Sequence, residues 1–238
     1  MIPKKIHYIW FGGNPLTPLA EKCLASWRQH CPDYEIVRWD ESNFDIAANA
    51  YCREAIEAKK WAFASDYARL WILVHEGGIY MDTDVEVLKP LDAFLDEEAF
   101  SGFEAVDRIP TGLMASESHQ PFISRLLRNY DDLHFVKEDG ALDLTTNVTT
   151  ITNACLSRGL VLNGAKQTIE GFTLYPADYF CPKDWLTKKV VLTENSHAIH
   201  HFDGSWVGTG VKLKHGIMRL IGPAGIRFVK NLLGQNYG

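Results

Sequence analysis

The apolar positions of this chain fall into runs of two kinds. Residues 5–11 (KIHYIWF) are almost unbroken apolar and aromatic side chains, ended by Gly12-Gly13. That pattern predicts a strand buried on both faces that enters a ligand-side loop. Residues 34–39 (YEIVRW) predict a second strand, with a turn over 40–43. Between them, residues 18–30 carry Leu19, Cys23 or Leu24, and Trp27 on one helical face. Residues 52–75 predict one helix, strongest in its second half, where Trp61, Ala64, Ala68, Trp71 or Ile72, and His75 recur at the helical period. Gly77-Gly78 stops it. A strand over 79–81 and a short extended piece over 85–88 follow.

The second half is less sharply patterned. Strands are expected at 100–103 and 112–116, helices at 120–130 and 146–156, and edge strands at 173–175 and 190–192. Strand-helix-strand order at these lengths predicts an α/β fold with a mostly parallel central sheet flanked by helices. With 238 residues and no repeat or linker, one domain over 1–238 is the simplest organisation.

Charge modifies this picture in two ways. A net charge of -6 argues against a general nucleic-acid binder. Residues 211–238 hold Lys212, Lys214, Arg219, Arg227 and Lys230 and no acid. They are interleaved with apolar residues, and Gly222-Pro223 would divide them into two short helices. Such a surface suits either peripheral contact with an anionic membrane or packing on the domain with a solvated basic edge. The five cysteines form no tight pair, the start carries no signal-peptide pattern, and no apolar run reaches membrane-spanning length. The expectation is a cytoplasmic protein with free thiols, possible at the inner face of the cell membrane through its basic end.

Candidate chemistry clusters in four places. Asp82 and Asp84 follow a short apolar strand, one residue apart, so both oxygens could converge on Mg²⁺ or Mn²⁺; a solvated acidic turn is the alternative. Asp66 and Arg69 are three apart on a helix and either pair with each other or meet a sugar and a phosphate. The run 195–206 (NSHAIHHFDGSW) offers His197, His200 and His201, with His201 the candidate third metal ligand and His200 the candidate core residue. Trp206 is a candidate pocket wall. Trp10 ends the first strand, where α/β ligands bind, and could stack on a base or belong to the core. No phosphate-binding glycine loop, nucleophile elbow or zinc-finger spacing is present.

Three segments together, IPKKIHYIWFGG, ASDYARLWILVHEGGIYMDTDVEVLKPL and HHFDGSW, resemble bacterial glycosyltransferases of the capsular-polysaccharide type. These belong to glycosyltransferase family 32, with the yeast mannosyltransferases, and are distantly similar to the glucosylating domain of large clostridial toxins. The resemblance covers 2–90 and resumes near 198; the middle third matches weakly. It implies a GT-A fold and a metal-dependent transfer from a UDP-sugar that retains anomeric configuration. It implies a saccharide acceptor, lipid-linked, in capsule, O-antigen or exopolysaccharide synthesis. It places Trp10 on the nucleotide base, with Ile9, Tyr80 and Thr83 beside the donor. Asp66 would hold sugar or ribose hydroxyls and Arg69 a sugar hydroxyl. Asp82 and Asp84 would bind metal, Asp84 more directly, with His201 as third ligand, though the toxins carry glutamate there. Trp206 would contact the diphosphate. No nucleophile is assigned, and Asp139, Asp143 and Asn147 are candidates for meeting the acceptor. A metal-dependent nucleotidyltransferase and a non-catalytic saccharide-binding protein are the alternatives.

Overall fold

The computed structural model describes residues 1–104, 108–185 and 187–204. Its first unit is β1 (Lys5–Ile9), α1 (Pro18–His30) and β2 (Glu35–Trp39). The hydroxyl of Thr17 accepts from the Ala20 N–H and Pro18 opens the first turn, so α1 begins where its cap and proline dictate. Next come α2 (Ala50–Glu57), α3 (Trp61–His75), β3 (Gly78–Met81) and β4 (Val85–Val87). The single helix expected over 52–75 is thus two. Lys59 takes a left-handed conformation at φ 57°, which breaks the helical path and lets α3 start afresh at Trp61.

The remainder is β5 (Ala99–Gly102), β6 (Leu113–Ser116), α4 (Pro121–Arg128), α5 (Asn147–Leu156), β7 (Gln167–Ile169), β8 (Phe172–Tyr175), α6 (Ala177–Phe180) and β9 (Ala198–His200). The main sheet has the order β2-β1-β3-β6-β5-β8-β7, and β4 pairs with β9 in a second, two-stranded sheet. The expected α/β layering is there, but the sheet is mixed rather than mostly parallel. β1 runs parallel to β2 and β3, while β6 is antiparallel to both of its neighbours. The edge strand expected at 190–192 is only an isolated bridge between Val190 and Lys183.

Strand alternation divides the core into two layers. Tyr80, Met114, Phe172 and Leu174 pack with α2 to α5 on one face. Ile6, Tyr8, Ile79, Met81, Leu113 and Phe100 pack with α1 and Phe180 on the other. All five cysteines are free and buried. No helix among the described residues is long and apolar enough to cross a membrane. The basic segment 211–238 lies outside the described residues.

The turn from α3 into β3 brings the central strand to its register. Gly78 has φ 92°, and a Cβ there would meet the Lys5 carbonyl oxygen at 2.9 Å, so only glycine fits. His7 fastens this turn. It is 0% exposed; Trp39 Nε1 donates to its Nδ1 at 3.1 Å, and its Nε2 donates to the Gly77 carbonyl at 3.0 Å. Both ring nitrogens are satisfied only in the neutral form, because a second proton would point at the indole N–H. Burial accordingly depresses the imidazolium to a pKa of about 4.

Below about pH 6.5 the unfolded chain binds a proton at this position that the native state refuses. The contribution of His7 is therefore intact above that pH and is lost as pH falls through the folded value. Across the window it amounts to about 3 kcal/mol. Urea unfolding at pH 7 and 4.5 should show wild type losing more stability on acidification than His7→Gln. Parallel losses would remove His7 as the cause.

Candidate active site

The turn between the C-terminal end of β3 and the start of β4 carries Asp82 and Asp84. Val85 N–H donates to the Asp82 carbonyl at 3.0 Å, closing a turn over Thr83. Tyr80 and Asp82 are two apart and share the face that meets α3. On that face, Tyr80 donates its hydroxyl to Asp82 Oδ1 at 2.7 Å, and Arg69 lies over the Tyr80 ring at 4.6 Å. Burial pushes the Tyr80 phenol well above its usual range, so it stays a donor.

Arg69 is the hub. It is 4% exposed, and its guanidinium reaches Asp66 Oδ1 at 3.1 Å and Asp82 Oδ1 at 3.5 Å. It also donates to the Ser65 carbonyl at 3.2 Å and the Thr111 carbonyl at 2.5 Å. Four acceptors in several directions suit the planar fork of arginine and no other side chain. The i,i+3 pair legible in the sequence therefore exists and extends to Asp82. Burial raises the Asp66 pKa to about 6, against the lowering by Arg69 and by the N–H of Asn147. Asn147, at the start of α5, donates from its backbone to Asp66 Oδ2 at 3.2 Å and from its side chain to the Asp66 carbonyl at 2.6 Å. Tyr130 in turn donates to Asn147 Oδ1 at 2.7 Å.

The Asp84 side turns on the pairing of β4 with β9, which sets Val85 opposite His200. His200 Nε2 lies 3.2 Å from Asp84 Oδ1, and the Asp203 N–H donates to Asp84 Oδ2 at 2.9 Å. Burial opposes both charges, yet their attraction prevails: the Asp84 carboxyl is held below its usual range and the His200 imidazolium well above its own. Gly112 makes room for the ring, since a Cβ there would lie 3.0 Å from His200 Nδ1.

One oxygen from Asp82, one from Asp84 and one nitrogen of His200 lie within 4.8 Å of one another. His200 Nδ1 is buried and finds no nitrogen or oxygen partner among the described residues. Two hard carboxylate oxygens and a borderline imidazole fit a divalent ion such as Mn²⁺ or Mg²⁺.

The histidine beside this pair is thus His200, where His201 was expected. The physical reason is alternation along the extended chain: His200 ends β9 and His201 follows it, so their rings face opposite ways, that of His200 to Asp84 and that of His201 to Glu86. His201 Nε2 instead meets Glu86 Oε2 at 2.8 Å, and its Nδ1 meets Lys183 Nζ at 3.4 Å. His197 Nδ1 meets the Pro90 carbonyl at 2.9 Å. His200→Ala is expected to weaken Mn²⁺ binding by about tenfold or more, and His201→Ala by less. Calorimetric titration of Mn²⁺ into both variants checks this, and the reverse order would return the third position to His201.

Trp10 directly follows β1, and the parallel register of β1 with β3 carries it to the same sheet edge as Asp82. Its Nε1 donates to the Asn14 carbonyl at 2.6 Å. Ile9 is buried in the core layer facing α3. Of the three acceptor-side candidates, Asp139 and Asp143 accept from the N–H groups of Ala141 and Thr145 in local turns, and Asp143 also lines a cavity with Tyr51 and Tyr130. Asn147 is drawn into the Asp66 network. Sequence reasoning did not reach Thr111, Gly112 or Tyr130, because none lies in a motif and each arrives through a long-range contact. Trp206 lies outside the described residues.

Residues 18–101 match the family described as the glycosyltransferase sugar-binding region containing a DXD motif. That region includes Asp66, Arg69, Tyr80, Asp82 and Asp84; Trp10, Asn147 and His200 fall outside it. Inositol phosphoceramide mannosyltransferase 3 of Schizosaccharomyces pombe is 30% identical over 136 residues, 54% of this chain and 37% of that protein. The chain therefore spans little more than a third of the length of that relative. An uncharacterized glycosyltransferase of Acanthamoeba polyphaga mimivirus is 26% identical over 204 residues, 77% of each chain. The solved glycosyltransferase GlyE of Streptococcus pneumoniae aligns with all of this chain (100%) and 65% of its own, at 9% identity and a TM-score of 0.48.

Proposed function

We propose that the protein is a metal-dependent glycosyltransferase that moves a hexose or N-acetylhexosamine from a UDP-sugar to a saccharide acceptor with retention of configuration. The observation that carries this reading is the junction of two linked groups at one sheet edge. Arg69 ties Asp66, Tyr80 and Asp82 together, and His200 sits on Asp84 one turn away.

The chemistry required is modest. Transfer breaks the bond between a sugar and a diphosphate, and negative charge grows on the departing group. A divalent ion held by Asp82, Asp84 and His200 would neutralise that charge. Asp66 has one oxygen on Arg69 and the other on Asn147, so it is suited to orienting a hydroxyl rather than attacking carbon. Arg69, locked by four acceptors, brings a fixed positive charge that needs no reorganisation during reaction. Trp10 stacks on the base, with Ile9, Tyr80 and Thr83 lining the donor and Trp206 on the diphosphate. With no nucleophile assigned, the leaving oxygen itself takes the acceptor proton. This same-face route gives retention without a covalent intermediate on the protein.

Within the same proposal, residues 1–238 act as one GT-A domain, and the acceptor is lipid-linked, in surface-polysaccharide assembly. The protein works in the cytoplasm, with 211–238 against the inner face of the membrane.

The test is a panel of nucleotide sugars incubated with Mn²⁺, with and without chelator, read by release of the nucleoside diphosphate. Release from a uridine sugar that stops on chelation is expected. A folded, Mn²⁺-binding protein that releases nothing from any member of the panel would overturn the proposal.

A further inference from the structure

Residues 190–192 present Val190, Val191 and Leu192 to solvent, at 42%, 55% and 55% exposure. Single exposed aliphatic residues are ordinary, but three in succession are not. Their exposure does not come from a loose backbone. Val190 bridges Lys183, Val191 N–H donates to the Pro182 carbonyl at 2.9 Å, and Asp184 N–H donates to the Lys189 carbonyl at 2.9 Å. The chain is thus held in place while its apolar side chains face outward.

Cationic side chains border the run. Lys188 and Lys189 precede it directly, Lys183 lies across the bridge, and Lys89 Nζ reaches the Glu194 carbonyl at 2.5 Å. Three carboxylates lie nearby, and the four lysines outnumber them: Asp184 accepts from Thr187, Asp178 accepts from Thr193 and Asn195, and Glu194 lies past the end of the run. An aliphatic tip collared by lysines, in a chain whose net charge is -6, complements an anionic lipid surface: the tip enters the acyl boundary and the lysines meet the headgroups.

The position matters for the site. Lys183 contacts the His201 ring, and Lys188 donates to the Phe202 carbonyl at 2.9 Å. The same strip therefore braces the segment that carries His200 and Asp203 to Asp84. We propose that residues 190–192 and the adjoining lysines form a membrane-docking edge for anionic lipid, which sets the candidate active site beside the bilayer surface. The proposal concerns binding, so it stands or falls separately from the choice of reaction.

The experiment is cosedimentation of the full chain with vesicles of phosphatidylcholine alone and of phosphatidylcholine mixed with phosphatidylglycerol. The wild type should partition to the anionic vesicles, less so at high salt. The double variant Val191→Asp, Leu192→Asp should lose about tenfold or more of that partition, and Lys189→Glu a smaller, salt-dependent part. Circular dichroism checks that the variants remain folded, which their exposed positions favour. Equal partition of wild type and double variant would assign membrane contact elsewhere and overturn the proposal, as would a wild type that binds neither vesicle.

Discussion

Asp84→Asn should lower turnover by about a thousandfold or more, which corresponds to about 4 kcal/mol of lost transition-state stabilisation. Asparagine keeps the shape and can still accept from Asp203 N–H, so the β4–β9 pairing has no steric reason to open. What it removes is the charge. One of two carboxylates converging on the candidate metal position is gone, and His200 loses the partner that holds it protonated. The lost carboxylate disfavours a bound cation and, in the proposed reaction, leaves the departing diphosphate uncompensated; the neutral His200 ring does not make up for it. Turnover and Mn²⁺ titration, with circular dichroism as the control for folding, read this directly. A folded variant within tenfold of wild-type turnover would strip Asp84 of the role.

The second large effect concerns stability. Arg69→Met should destabilise the fold by about 3–5 kcal/mol, because it leaves Asp66 and Asp82 buried or half-buried near one another without their shared cation. It also leaves the Thr111 carbonyl without its guanidinium donor. Arg69→Lys should recover only part of this, since an ammonium cannot reach four acceptors spread around a planar fork.

Asp66 makes the prediction sharper through its pH dependence. Its folded pKa, about 6, lies above the unfolded value, so the native state binds the extra proton. Its stabilising contribution is present below the unfolded value and is lost as pH rises through the folded one; at neutral pH the buried charge costs about 3 kcal/mol. Removing Arg69 raises that cost. Adding Asp66→Asn to Arg69→Met should therefore restore stability at pH 7, a strongly non-additive double-mutant cycle in urea unfolding. Additive losses, or a single-variant loss below about 1 kcal/mol, would remove Arg69 from the centre of the network. Between pH 6 and 4 the Asp66 and His7 slopes oppose each other, so the His7 contribution is read as a difference between variants.

A network that retains a destabilising charge at neutral pH is better explained by function than by folding. Buried ion pairs seldom stabilise relative to apolar packing. Here three carboxylates, an arginine and a histidine gather at one sheet edge inside a domain with two well-filled apolar layers.

How much of this the chain shows in advance depends on the range of the interactions. The apolar run of β1, the helical period of α3 and the glycines that follow it act over a few residues, and all three are visible in the sequence. So are the i,i+3 spacing of Asp66 and Arg69 and the D-x-D pair, because backbone periodicity alone places them on a face or in a turn. The break between α2 and α3 was hidden, since a left-handed lysine at position 59 has no compositional mark.

Tertiary contacts decided the rest. Asn147 reaches Asp66 across 81 positions of the chain. His200 and His201 are chemically identical neighbours, and only the register of β9 on β4 assigns one to Asp84 and the other to Glu86. A shift of one residue would exchange them, and no local pattern specifies that register. The sequence by itself determined the β-α-β frame and the acidic pair at its edge, because those follow from short-range periodicity. Only the folded chain decided which histidine and which amide complete the site, because pairing and burial are properties of segments that meet far apart along the backbone.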